Sequence, residues 1–207
     1  LIAAIHERDV AHLAVSGGAT PWLAFLVLAG LDVPWGKVHV WQVDERVAPD
    51  LDPARNATGL RRSLLDAIAV GGRQGPALHL MQVGTLGAEE AAARYGEQLE
   101  ASLGPEPVLD VVHLGIGADG HTASWVPDDD VIDASSDVAV TSSVYQGTRR
   151  VTLTPPCVNR ARTRVFMVQG HDKAAPLRRM LAGDPLIPAS RVTSEGSTII
   201  TSTAVGA

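Results

Sequence analysis

Cysteine is nearly absent from this chain: among 207 residues only Cys157 carries a thiol. A single cysteine excludes an internal disulfide framework and any metal site built from several thiolates. It points to a reducing, cytoplasmic setting. Basic charge is also scarce. Lys and Arg number 17 against 23 Asp and Glu, a net charge of -6. That balance argues against nucleic acid or an acidic membrane as the main partner, because both reward clustered Lys and Arg. Long hydrophobic runs are missing: the longest, Trp22 to Ala29, is far short of the ~20 residues of a transmembrane helix. No basic–apolar–small signal pattern opens the chain. There is no internal repeat, low-complexity tract or dividing linker, so residues 1–207 read as one domain. Leu1 to Ile5 reads as the tail of a helix whose start lies upstream.

What is present is an ordinary globular mixture, 45% hydrophobic and 19% charged. Short apolar runs alternate with helical segments, the pattern of a single-domain α/β fold with a mainly parallel twisted sheet and helices on both faces. Strands are expected at Val10–Ser16, Lys37–Asp44, Ala77–Gln82, Leu109–Gly115, Thr163–Gln169 and Ser197–Ser202. A pair of later strands, Val138–Val144 and Arg150–Thr154, reads as antiparallel. Helices are expected at Pro21–Ala29, Pro53–Leu65, Ala88–Leu103 and Asp172–Leu181. The first of these has no charge, which predicts burial on most sides.

The unusual residues fall just after the expected strands, where open α/β sheets place their ligands. Ser16-Gly17-Gly18-Ala19-Thr20-Pro21 reads equally as a plain strand-to-helix turn or as an anion site. In the second reading Thr20 is the N-cap and Pro21 the first helical residue. Asp44-Glu45-Arg46 puts three charges in succession after an apolar strand. As a solvated loop they need no function, but Arg46 suits a phosphate and Asp44 suits hydroxyls or a proton.

Gly115 to Ser124 is the densest signal. Gly115, Gly117 and Gly120 match G-x-G-x-x-G, but Pro127 and Asp128-Asp129-Asp130 leave no room for the long helix a dinucleotide fold requires. What remains is a glycine-lined loop holding Asp119 and His121 near the start of a short helix. A histidine there can serve as a general base. His39, His79 and His113 lie inside expected strands and read as core histidines. In Gly170-His171-Asp172-Lys173-Ala174, Lys173 sits in the first turn of a helix. The macrodipole disfavours a cation there, unless an anion lies beside it.

These segments, in this order, together with Arg150-Val151-Thr152-Leu153-Thr154 and Pro188-Ala189-Ser190, resemble the 6-phosphogluconolactonase family of the sugar-phosphate isomerase and deaminase superfamily. The resemblance spans nearly the whole chain. Its most specific pieces are Thr122-Ala123-Ser124 after the histidine and Arg46 closing the second motif. The sister deaminases carry a tyrosine in place of Arg46 and Ile-Ala-Phe-Asn after their histidine. The chain departs from the family where serine is usual at Ala19, Ser-Asn at Arg55-Asn56 and Leu-Phe-Pro at Trp125-Val126-Pro127. It also has a reduced C-terminal segment, Thr198 to Ala207, and lacks most of the N-terminal helix.

The resemblance implies hydrolysis of a sugar-phosphate lactone, with a small-molecule sugar phosphate as partner, no metal or other cofactor, and a monomer as the favoured state. His121 is then the general base, with Asp119 or Asp44 orienting it or binding hydroxyls. Backbone N–H groups around Gly117 to Gly120 are expected to receive the oxyanion. Gly17, Gly18, Thr20, Arg46 and Lys173 are expected to hold the phosphate, with Arg150 and Arg178 as further phosphate candidates. Two rival readings are a deaminase or aldose–ketose isomerase using Asp44 as carbon base, and a sugar-phosphate sensor without turnover.

Overall fold

The computed structural model describes residues 1–202; of the Thr198–Ala207 segment, residues 203–207 lie outside the described residues. Among the described residues nine strands form: β1 (Ala11–Val15), β2 (Val38–Gln42), β3 (Asp44–Arg46), β4 (Ala77–His79), β5 (Val111–Leu114), β6 (Val138–Val140), β7 (Arg150–Leu153), β8 (Thr163–Val168) and β9 (Ser197–Thr201). Six of them make a parallel sheet in the order β4-β2-β1-β5-β8-β9. The other three make a small antiparallel sheet, β3-β7-β6. The expected α/β architecture is therefore present, including the antiparallel pairing of the two later strands.

The helices are α1 (Ile2–Arg8), α2 (Ala19–Gly30), α3 (Asn56–Leu60), α4 (Asp66–Val70), α5 (Val83–Leu86), α6 (Ala88–Leu103), α7 (Pro155–Arg160) and α8 (Ala174–Leu181). A π-helical turn, Arg61–Leu65, joins α3 to α4. Alternation along the strands sends side chains to two cores. Leu13, Val15, Val38 and Val40 pack with Phe25, Trp35, Leu60 and Leu64 beneath α1, α2 and α3–α4. Ala14, Trp41, Val112 and Leu114 pack with Tyr95, Leu99, Val158 and Leu177 of α6, α7 and α8 on the other face. Among the described residues no helix is long and apolar enough to cross a membrane.

Four expectations change. The segment Lys37–Asp44 is not one strand: β2 ends at Gln42, and Asp44-Glu45-Arg46 is a strand of the second sheet rather than a solvated loop. Glu45 is fully buried there, where it pairs with Arg55 at 3.0 Å and accepts the N–H groups of Asn56 (2.7 Å) and Ala57 (2.9 Å). Its carboxylate thus caps α3, which is why that helix begins at Asn56 and not at Pro53. Helix α2 is not buried on most sides. Pro21, Phe25 and Ala29 form its inner stripe, while Leu23 and Val27 are 66% and 68% exposed. Finally, no helix starts after His121; the next helical turn is a 3-10 turn at Asp130–Asp133.

Candidate active site

From β1 the chain builds outward through β2 to β4, then returns to β5 and builds outward through β8 to β9 on the other side. β1 and β5 are therefore the neighbours at which the winding reverses, and the crevice beyond their carboxyl ends is where such sheets bind ligands. Ser16-Gly17-Gly18 leaves β1 at that point and Gly115 to Thr122 leaves β5. Ser16, Gly17 and Gly18 of the first and Gly115, Ile116, Gly117, His121 and Thr122 of the second line one cavity of about 240 Å³ together with Asp44, Arg46, Asn56, Ala123, Gln146, Arg150 and Lys173.

The loop after β5 is a closed turn. Gly117 donates its N–H to the His121 carbonyl (2.8 Å) and Gly120 donates to the Gly117 carbonyl (3.0 Å). Inside the turn His121 Nδ1 lies 2.6 Å from Asp119 Oδ1, which also accepts the His121 N–H at 3.2 Å. With Nδ1–H committed to the carboxylate, Nε2 is the nitrogen left to take a proton. Partial burial acts to raise the Asp119 carboxyl. The His121 charge and donors from His121 and Tyr145 outweigh it and hold the group below its ordinary value. A Cβ on Gly117 would lie 2.0 Å from His121 Nδ1 and 2.4 Å from Asp119 Oδ1, so only glycine admits this pair.

Opposite the loop stands the wall made by β3 and β7. Asp44 Oδ2 accepts from Ser124 Oγ (2.7 Å) and its Oδ1 accepts from Asn56 Nδ2 (3.2 Å), while Arg150 Nη1 stands 4.0 Å away. Burial raises the Asp44 carboxyl above its ordinary value against the pull of Ser124, Arg46 and Arg150. Arg46 donates to the Ala54 carbonyl and to Asn56 Oδ1. Arg150 is buried with its Nε lacking any hydrogen-bond partner. Desolvation lowers it, Asp44 opposes that shift and Arg46 reinforces it. Lys173, in the 3-10 turn before α8, adds a third cation and pairs with Asp172 at 3.1 Å. Beside Gly18, α2 begins at Ala19 with no side chain capping its amides, the arrangement that receives anions.

The apex of the β6–β7 hairpin completes the rim. Tyr145 and Thr148 pair across Gln146 and Gly147, whose φ values of 52° and 86° describe a type I′ turn. A left-handed glutamine costs about 1 kcal/mol, strain of the sort that gathers at functional sites.

A sequence model described as glucosamine-6-phosphate isomerases/6-phosphogluconolactonase matches residues 1–200. The chain belongs to this glucosamine-6-phosphate isomerase/6-phosphogluconolactonase family. It is 37% identical over 194 residues to a 6-phosphogluconolactonase of Mesorhizobium japonicum, covering 91% of this chain and 79% of the relative. It is 35% identical over 177 residues to the human GDH/6PGL endoplasmic bifunctional protein, covering 83% of this chain and 22% of that longer protein. Among solved structures, a 6-phosphogluconolactonase of Thermotoga maritima superposes with a TM-score of 0.85 at 25% identity, over 97% of this chain and 88% of that one.

Within this family fold, the residues singled out from sequence do not all meet. Asp44, Arg46, Gly17, Gly18, Gly117, His121, Arg150 and Lys173 line the cavity, and Asp119 stands behind His121. Thr20 does not line it and is not the N-cap, because α2 starts two residues earlier than expected, with Gly18 at the cap. Gly120 shapes the turn with φ 88° but lies outside the cavity lining, and Arg178 is exposed on α8. The amides of Gly117 and Gly120 are used within the turn and are not free for an oxyanion. Sequence reasoning assigned no role to Asn56, Ser124, Tyr145 or Gln146. For the last two, the Gln-Gly pair is a hairpin-turn signal that was there to be read. A larger cleft of about 770 Å³ runs along α3–α4, lined by Arg61, Arg62, Leu65 and Thr85; it holds neither His121 nor Lys173.

Proposed function

We propose that the chain hydrolyses 6-phospho-D-glucono-1,5-lactone to 6-phospho-D-gluconate, the second step of the oxidative pentose phosphate pathway, with His121 as the general base. The observation that carries this reading is the His121–Asp119 pair, 2.6 Å apart, on a cavity whose other wall presents Arg46, Arg150 and Lys173. A lactone is an internal ester. Its hydrolysis needs a water nucleophile, an acceptor for that water's proton and a donor for the departing ring oxygen.

His121 serves both proton steps. Nε2 takes a proton as water adds to C1, and the imidazolium, steadied by Asp119, returns it to the ring oxygen as the C1–O bond breaks. The phosphate and the developing oxyanion are both negative, and the cations of the opposite wall suit them. Arg46, Lys173, Gly17, Gly18 and the α2 N-terminus hold the 6-phosphate. Arg150, with its unpaired buried Nε, faces the same anionic ligand. Asp44, held by Ser124 and Asn56, accepts from sugar hydroxyls. The chemistry calls for no metal or nicotinamide, since it is neither redox nor phosphoryl transfer. Cys157, buried and with its thiol pushed up to about 12 by burial, takes no part.

The test is a coupled assay of 6-phosphogluconate formation, corrected for spontaneous lactone opening, with glucosamine 6-phosphate as a parallel substrate. Lactone turnover above background without ammonia release is the expected result. Ammonia release without lactone turnover would overturn the reading.

A further inference from the structure

The apex of the β6–β7 hairpin places a phenol on the catalytic pair. Tyr145 Oη donates to Asp119 Oδ2 at 2.9 Å and lies 3.3 Å from His121 Nδ1, and its ring meets the imidazole edge-on with centroids 5.3 Å apart. We propose that Tyr145 is a positioning residue for the His121–Asp119 pair. It anchors the second carboxylate oxygen so that the first stays on Nδ1 and Nε2 stays free to take a proton from water. This inference rests on the lactonase reading for its catalytic consequence, though not for its geometry.

A carboxylate anchored at one oxygen alone can rotate about its last bond and release the imidazole. Anchored at both, it holds one tautomer and one ring orientation. The hairpin itself is fixed from the substrate side. Arg150 Nη2 donates to the Tyr145 carbonyl at 3.2 Å and to Gln146 Oε1 at 3.4 Å, and its guanidinium lies 5.4 Å from the Tyr145 ring centroid. Gln146 Nε2 in turn reaches Tyr145 Oη at 3.3 Å. The arginine that faces the anionic substrate and the histidine that handles its protons are thereby joined through one side chain.

Removing the phenol has a signed effect. The Tyr145 O–H withdraws charge from Asp119. Without it the carboxylate holds the imidazolium proton more tightly and gives it back more slowly. The other charged groups around His121 are Asp44 and Arg46 from β3, Arg150 from β7 and Lys173 from the turn before α8. None of them is altered by Tyr145→Phe, which keeps the ring.

The experiment compares wild type and Tyr145→Phe in two measurements. In the lactone assay kcat is expected to fall about tenfold, the order for one lost hydrogen bond to a charged group. KM should stay near wild type, and the acid limb of the kcat/KM profile should move to higher pH. An unchanged kcat with a superimposable profile, or a change confined to KM, would overturn the proposal. In the second measurement, imidazole nitrogen NMR of the ligand-free protein follows the His121 tautomer. A single tautomer protonated at Nδ1 in wild type and a mixture in Tyr145→Phe are expected, and identical spectra for both proteins would overturn the proposal. Should wild type fail to turn over lactone while the NMR difference appears, the functional reading fails and the positioning role stands.

Discussion

Arg46 and Arg150 are register partners across the β3–β7 ladder, two cations directly opposite each other on the wall of one cavity. Like charges so placed repel, and neither the 4.0 Å separation of Arg150 from Asp44 nor the contacts of Arg46 to Ala54 and Asn56 removes that repulsion. A bound dianion does.

Arg46→Ala is therefore expected to raise KM for the phosphorylated lactone by roughly 10- to 100-fold, the range of a lost charge-assisted hydrogen bond. The unphosphorylated lactone should be nearly unaffected. Inorganic phosphate should raise the melting temperature of wild type by mass action, and Arg150→Gln should shrink that rise. Differential scanning fluorimetry with and without phosphate measures both.

His121→Ala removes the base from a partly exposed side chain outside both cores. Turnover should drop by at least ~100-fold with little change in melting temperature. Turnover close to wild type would sink the mechanism and leave the fold untouched.

Gly117→Ala tests the closeness of the pair. The added methyl cannot coexist with His121 Nδ1 at 2.0 Å, so the imidazole must move by about an ångström. A displacement of that size costs on the order of 100-fold in rate. The expected signature is a fall in kcat with KM preserved, read from saturation curves.

Ser124→Ala leaves the buried Asp44 carboxylate with Asn56 as its near donor. A stability loss of about 1–3 kcal/mol is expected from the unmet acceptor, measured by urea unfolding at neutral pH.

Three histidines stand side by side across β1, β2 and β4: the His12 ring lies 4.7 Å from that of His39, and His39 Nδ1 lies 3.0 Å from His79 Nε2. Desolvation first, then the neighbouring imidazole charge, lowers His12 and His79 to about 4, and desolvation lowers His113 likewise to about 4. The unfolded chain protonates these groups near pH 6.5 while the folded chain does not. Their contribution is therefore fully present above pH 6.5 and is lost progressively as pH falls toward 4. Melting curves from pH 7 to pH 4 should slope accordingly. His12→Asn, which keeps an acceptor for Trp41 Nε1, should flatten part of that slope.

How much of this was legible in the sequence follows from the range of the interactions. Alternation and glycine placement are local, and they located β1, β5 and the loop at Gly115 to Ser124; that Asp119 and not Asp44 pairs with His121 took the folded turn to decide. Asp44-Glu45-Arg46 looked like a loop because its partners are distant. Glu45 is neutralised by Arg55 and capped onto the start of α3, and Asp44 accepts a hydrogen bond from Ser124, 80 residues on. Thr20 carried the chemistry of an N-cap, but the backbone entered the helix two residues early. Tyr145 gave no local signal of its role. Only the return of β7 alongside β3 brings its hairpin over Asp119.

The reversal of winding between β1 and β5 has a metric consequence. Neighbouring strands stand about 4.8 Å apart, and the loop at Gly17 and Gly18 and the loop of His121 spring from that one rung. Neither can slide relative to the other without breaking the parallel ladder that runs from Leu13 and Val111 to Val15 and His113. Under the proposed reading the sheet acts as a gauge, fixing how far the anionic tail of a substrate lies from its scissile carbonyl. Sugar phosphates one carbon shorter would seat one end at the cost of the other.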